Sequence, residues 1–209
     1  MGFDMNAFSL AGKKAIVTGG AKKTGLCYGM AVALHDAGAE IVILDANSQV
    51  ENTVAELGGA KSGYHAVVAN LLDLNDLSNG FQQAISALGG RLDILVNGAG
   101  LQYRCPSEEF PEDAWDRIMG VNIKGVFFMS QLAGKVMLKQ GKGKIINIAS
   151  TNSFIGLRNM PAYVSSKGGV KQLTMALSSE WSGRGINVNA IAPGYMDTEM
   201  SKDLQQMEQ

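Results

Sequence analysis

KKAIVTGGAKKTGLCYGMAVALHDAGAEIVILD, residues 13–45, decides the fold. It opens on a β-rich run, KKAIVTG (13–19), and glycines follow at once at Gly19, Gly20 and Gly25. Across 26–37, Leu26, Met30, Ala33, Leu34 and Ala37 lie near one helical face until Gly38 stops the pattern, and EIVILD (40–45) is a second apolar strand. Strand, glycine turn, helix and strand make the repeating unit of a parallel sheet. Glycines at a strand-to-helix turn let the backbone approach a pyrophosphate, and the helix N-terminus beyond offers free N–H groups and a favourable dipole. The spacing departs from G-x-G-x-x-G, and any tight turn can hold such glycines, so the nucleotide reading needs support from elsewhere.

The same alternation runs outward from this stretch. YHAVVAN (64–70), DILVNG (93–98), KIINIAS (144–150) and INVNAIAP (186–193) bring the strands to six, with helices expected over 47–57, 73–88, 112–139 and 161–182. Strands this apolar, separated by helices, predict one doubly wound, Rossmann-type α/β domain over 1–209, with ligands beyond the carboxyl ends of the strands. The hydrophobic set makes up 46% of the residues, enough for one sizeable core and too little chain for two.

Eighteen basic against nineteen acidic residues leave a formal charge of -1, which gives no reason to expect a nucleic-acid partner. Cys27 and Cys105 have neither metal-site spacing nor a disulfide framework, so no metal and a reducing compartment, the cytoplasm, are expected. The N-terminal residues lack the apolar centre of a signal peptide, and no apolar run is long enough to span a membrane.

Asp45 ends the second strand, where a carboxylate can accept bonds from adenosine ribose hydroxyls and would repel a 2′-phosphate. That favours NAD. Lys22 or Lys23 can instead meet such a phosphate, so NADP stands as the alternative.

Tyr163 and Lys167, four apart in MPAYVSSKGGVKQLTMAL, fall on one face of a helix. An ammonium beside a phenol favours the phenolate and lowers its pKa, and that phenol can give a proton to a ketone or take one from an alcohol. Ser150 ends the fifth strand and can hydrogen-bond the same substrate oxygen. Asn122 is an amide in an otherwise apolar helical run; it either caps a local kink or holds a water on a proton path. His35 lies late in a helix and His65 starts a strand, so neither suits the base of a hydrolase.

TGGAKKTG (18–25), NGAG (97–100), Asn122, Ser150, Tyr163-V-S-S-Lys167 and PGYMDT (193–198) resemble, in order, the motifs of the short-chain dehydrogenase/reductase family. Within it the chain is most similar to the 2-deoxy-D-gluconate 3-dehydrogenase and 2-dehydro-3-deoxy-D-gluconate 5-dehydrogenase group. The resemblance implies a catalytic tetrad of Asn122, Ser150, Tyr163 and Lys167. It implies cofactor contacts from Gly19, Lys23, Gly25, Leu26, Asp45, Asn70, Leu71, Asn97, Ala99, Gly100, Tyr163, Lys167, Pro193, Gly194 and Thr198. A homo-oligomer, dimer or tetramer, is expected through the helices at 112–139 and 161–182.

Three departures stand out. The phosphate loop is longer than usual and puts Cys27 on its third glycine position, resembling the loop of the bacterial enoyl-reductase branch. Gly98 replaces the second asparagine of N-N-A-G, which is expected to loosen contacts in the central sheet. Family members also continue past the position of Gln209 with a further strand and helix, which these 209 residues are expected to lack.

The leading expectation is an NAD-linked dehydrogenase of a small hydroxy or keto sugar acid. Arg104 and Arg158 flank the pocket in sequence and can each grip a substrate carboxylate, beside Ser150 and Tyr163. Gluconate 5-dehydrogenase, 3-oxoacyl carrier-protein reductase and a non-catalytic, truncated Rossmann-like scaffold are the alternatives.

Overall fold

The computed structural model describes residues 5–198. Six strands, β1 (Lys14–Thr18), β2 (Glu40–Asp45), β3 (Tyr64–Val68), β4 (Ile94–Asn97), β5 (Gly143–Ile148) and β6 (Ile186–Ile191), form one sheet in the order β3-β2-β1-β4-β5-β6. Every pairing is parallel. The doubly wound fold expected from the sequence is therefore the observed one.

Residue alternation along the strands builds two layers. Ile16, Val42, Leu44, Leu95 and Ile145 face one way, against Phe81 of α3 (Leu74–Ala87), Met129 and Met137 of α5 (Val126–Gln140), and Leu177 and Trp181 of α6 (Pro161–Trp181). Ala15, Val17, Ile41, Ile43 and Val96 face the other way, against Ala31 of α1 (Leu26–Asp36) and Val50 and Val54 of α2 (Gln49–Glu56). Each fully buried Ile, Leu or Phe contributes about 1.5–3 kcal/mol relative to exposure, which is why the strands carry few polar residues.

The helix expected over 112–139 is divided. α4 (Glu112–Met119) gives way to a π-helical turn at Gly120–Gly125 before α5 begins. Asn122 is the cause visible in the structure. Its amide is fully buried, accepts from Leu101 N at 2.7 Å and donates to Leu101 O at 2.9 Å. An inserted residue of this kind turns a side chain inward at a functional site.

The strand order reverses between β2 and β4 on either side of β1, which opens a crevice at their carboxyl ends. The opposite end of the sheet is a polar rim. Glu40 pairs there with Lys14 and His65, and Arg91 with Asp93. His35 bonds Ser62 O and stacks on Tyr64, so both histidines stand away from the crevice, in structural contacts. Among the described residues no helix is long and apolar enough to cross a membrane, and no cluster of side chains could hold a metal ion.

Candidate active site

A cleft of about 890 Å³ lies over the carboxyl ends of the strands. Its floor begins at Thr18, whose Oγ1 accepts from Gly98 N at 3.0 Å and Ala99 N at 3.1 Å and so ties β1 to the turn after β4. Gly19 follows with φ +86°, and a Cβ there would stand 2.7 Å from Ala99 Cα. Only glycine tolerates both that conformation and that approach. α1 starts at Leu26 with no side chain capping Gly25, leaving its N-terminal N–H groups toward the cleft.

Asp45 sits at the end of β2 on the cleft wall. Its Oδ2 accepts from Ala21 N and its Oδ1 from Asn47 N, each at 2.9 Å, so the carboxylate fixes the glycine loop while keeping lone pairs for a ligand. Asn70, Leu71, Ala99, Gly100, Pro193, Gly194 and Thr198 line the same cleft, with Gly25 and Leu26. The Asn70 Oδ1 already accepts from Leu72 N at 3.0 Å.

Four expected site residues stand elsewhere. Lys23 pairs with Glu56 on the surface, outside the cleft lining; a carboxylate on α2 has drawn it away. Arg158 is exposed and does not border the cleft. The Asn97 side chain points into the core, donating at 2.9 Å to both Ser130 Oγ and Asn147 Oδ1 beneath the floor. Asn122 lies behind the wall. Through Ser166 Oγ, which it meets at 3.1 Å and which donates to Tyr163 O at 2.7 Å, it ties Leu101 to the first turn of α6. Asn122 thus sits at the kink, one of the two roles expected for it.

Tyr163, Lys167 and Ser150 meet at one side of the cleft. Lys167 is 4% exposed, and its Nζ donates to Ile148 O at 2.6 Å and stands 5.7 Å from the Tyr163 ring centroid. Ser150, 7% exposed, begins a short turn in which its Oγ accepts from Asn152 N at 3.1 Å, and Ser153 Oγ donates to Lys167 O. Burial pushes the Tyr163 phenol up, and its hydrogen bond with Ser150 only partly offsets that. The expected lowering by Lys167 is not seen, because burial also disfavours the charged lysine, pulling it down to about 8. The phenol therefore rests protonated, ready to donate.

Cys27 and Gly98 prove to be a complementary pair. A Cβ at Gly98 would overlap the Cys27 sulfur, so the thiol fills the room that a side chain at 98 would occupy. The contact replaces what Gly98 was expected to lose. The two departures lie far apart in the sequence, and only their shared position at the sheet end joins them.

Buried Lys167 gives stability a pH signature. Its unfolded value is 10.5 and its folded value about 8, so between these the unfolded chain holds a proton that the folded chain lacks. Stability then rises with pH, by at most about 1.4 kcal/mol per unit. Cys27, raised from 9.0 to about 11, and Tyr64, raised from 10.0 to about 12, act oppositely above 9, because the unfolded groups ionise first. The melting temperature without cofactor is expected to rise from pH 8 to 9 and then level or fall, and Lys167→Met to abolish the rise. A wild-type midpoint that declines from pH 8 to 9 contradicts the assignment.

Residues 13–209 match the family model for short chain dehydrogenases. The 2-dehydro-3-deoxy-D-gluconate 5-dehydrogenase of Escherichia coli (strain K12) is 44% identical over 206 residues, covering 98% of this chain and 80% of the relative. The enzyme of the same name from Pseudoalteromonas atlantica is 42% identical over 207 residues, covering 97% and 79%. The crystal structure of a gluconate 5-dehydrogenase from Burkholderia cenocepacia J2315 in complex with NADP and tartrate superposes with a TM-score of 0.89 at 33% identity, covering 96% of this chain and 78% of that one. Fold and cleft define a nicotinamide-dependent oxidoreductase. The chain belongs to the short-chain dehydrogenase family, and within it resembles the 2-dehydro-3-deoxy-D-gluconate 5-dehydrogenases.

Proposed function

We propose that the chain interconverts the hydroxyl and ketone forms of a small sugar acid, of the 2-deoxy-D-gluconate or 2-dehydro-3-deoxy-D-gluconate kind, with NAD(H) as its preferred cofactor. The observation that carries this reading is Arg104. Its Nε and Nη2 are buried without a hydrogen-bond partner in the wall of the cleft that holds Tyr163. Buried guanidinium donors left unpaired are costly, and a planar carboxylate is the group that satisfies two of them at once. The names of the relatives agree with an acid of this size.

The residues present fit a nicotinamide dinucleotide. The close approach at Gly19 and the uncapped start of α1 suit its phosphates, Asp45 its adenosine ribose, Lys167 its other ribose and Thr198 its carboxamide. When bound, it supplies or accepts the hydride. Tyr163 gives its phenolic proton to the ketone oxygen in the reducing direction and takes one from the alcohol in the other. Ser150 orients the phenol through their shared hydrogen bond and is placed to meet the same oxygen. Arg104 holds the carboxylate end, which fixes which carbon faces Tyr163.

Asp45 supports NAD over NADP because its charge opposes a 2′-phosphate, and Lys23 is already engaged by Glu56. Lys22 borders the cleft, and the Burkholderia relative holds NADP, so both cofactors belong in the test. Initial rates on 2-deoxy-D-gluconate are measured for wild type and Arg104→Met, each with NAD⁺ and NADP⁺. The expected results are about tenfold better kcat/KM with NAD⁺ and a KM for the acid raised roughly 10- to 100-fold in the variant, the range of a lost charged hydrogen bond. A KM unmoved by Arg104→Met sinks the carboxylate contact; better use of NADP⁺ sinks the Asp45 assignment.

A further inference from the structure

We propose that Asn159 is a positioning residue for substrate recognition, latching the loop that carries Arg104 by means of its left-handed backbone. The inference rests on the reading of Arg104 given above and adds the device that aims it.

Asn159 has φ +61° and is the only non-glycine residue with positive φ among the described residues. Its side chain is exposed, so the conformation is held for the backbone and not for a side-chain contact. What that backbone does is visible in one bond, in which Asn159 O accepts from Cys105 N at 2.9 Å. The bond joins the segment between Ser150 and α6 to the segment between β4 and α4, two loops that are far apart in sequence.

The loop after β4 is thereby stapled at two points. Asn122 grips both backbone groups of Leu101, at 2.7 and 2.9 Å, and Asn159 grips Cys105. Arg104 lies between the staples, with two donors buried and unpartnered. Donors left unpaired in a buried place are costly, so a loop held at both ends helps keep the long side chain there. Removing the second staple frees that backbone to swing, and the guanidinium then finds water in place of substrate.

Asparagine tolerates the left-handed region better than other side chains, glycine adopts it freely, and a β-branched residue resists it. This ranking separates a backbone role from a side-chain role. Asn159→Gly, Asn159→Val, Arg104→Met and the Arg104→Met/Asn159→Val double variant of the same chain are assayed on 2-deoxy-D-gluconate. Cofactor affinity and melting temperature are measured alongside.

Asn159→Gly is expected to keep KM within about twofold of wild type. Asn159→Val is expected to raise KM about tenfold, with kcat and cofactor affinity nearly unchanged. If the latch works through Arg104, the double variant has the KM of Arg104→Met alone, since coupled residues do not add. An unchanged KM in Asn159→Val overturns the proposal, as does equal damage by Gly and Val, which would assign the effect to the lost side chain. Fully multiplied effects in the double variant overturn it too. An Arg104→Met variant with wild-type KM, beside a raised KM in Asn159→Val, overturns the carboxylate reading of Arg104 and leaves the latch supported as a shaper of the pocket wall.

Discussion

Tyr163→Phe is expected to bind nicotinamide cofactor as the wild type does and to lose turnover by roughly 10³-fold, within the range for removing a general acid–base group. The phenyl ring preserves the packing at the start of α6, and nothing in the backbone changes. Only the hydroxyl is lost, with its bond to Ser150 and its proton. Burial holds the phenol protonated, so wild-type alcohol oxidation should quicken as pH rises toward the ionisation of Tyr163. Residual turnover in the variant should lack that rise. Cofactor fluorescence titration and kcat measured across pH test both halves. Comparable turnover by the two proteins would remove Tyr163 from its role.

Lys167→Met is expected to damage two steps. The ammonium is nearly enclosed and donates to Ile148 O at 2.6 Å, at the end of the strand that leads into Ser150. Methionine keeps most of the side-chain length and loses the donor, leaving that carbonyl unpaired in a buried place. Turnover should fall roughly 10²-fold or more, as for loss of one preorganised donor beside the reacting oxygen. Cofactor should bind about tenfold more weakly, as one lost charged hydrogen bond implies. Stopped-flow binding and single-turnover rates separate the two losses. A variant that loses only cofactor affinity would confine Lys167 to binding and leave the phenol to work alone.

The fold was legible because its signals are local. EIVILD, DILVNG and KIINIAS each become a strand of the sheet, and the glycine turn after KKAIVTG lies at the carboxyl end of β1 as expected. The proposed reacting trio was legible for the same reason: Tyr163 and Lys167 are one helical turn apart, and Ser150, expected at the end of a strand, comes two residues after β5, at the start of a short turn. What escaped the sequence depends on partners remote in the chain. Lys23 looked available until α2 brought Glu56 to it, and Asn97 looked exposed to ligand until Ser130 and Asn147 claimed it from below. Cys27 and Gly98 read as two unrelated oddities, although each makes room for the other. The break at Gly120–Gly125 could be suspected from Asn122, but its reason, the two bonds to Leu101, lies in another loop. The direction of the Tyr163 shift failed on a different ground. Pairing with Lys167 favours the phenolate, but burial of both groups costs more than the pairing returns.

The most direct test of the proposal that the cleft selects a small acid is a comparison of initial rates of cofactor oxidation or reduction on three substrate pairs. These are 2-deoxy-D-gluconate with its ketone, D-gluconate with its ketone, and a 3-oxoacyl thioester with its alcohol. Wild-type protein is expected to turn over a sugar acid with a KM that Arg104→Met raises, and to leave the thioester nearly untouched. Turnover of the thioester alone would contradict the sugar-acid reading while leaving the chemistry of Tyr163 in place.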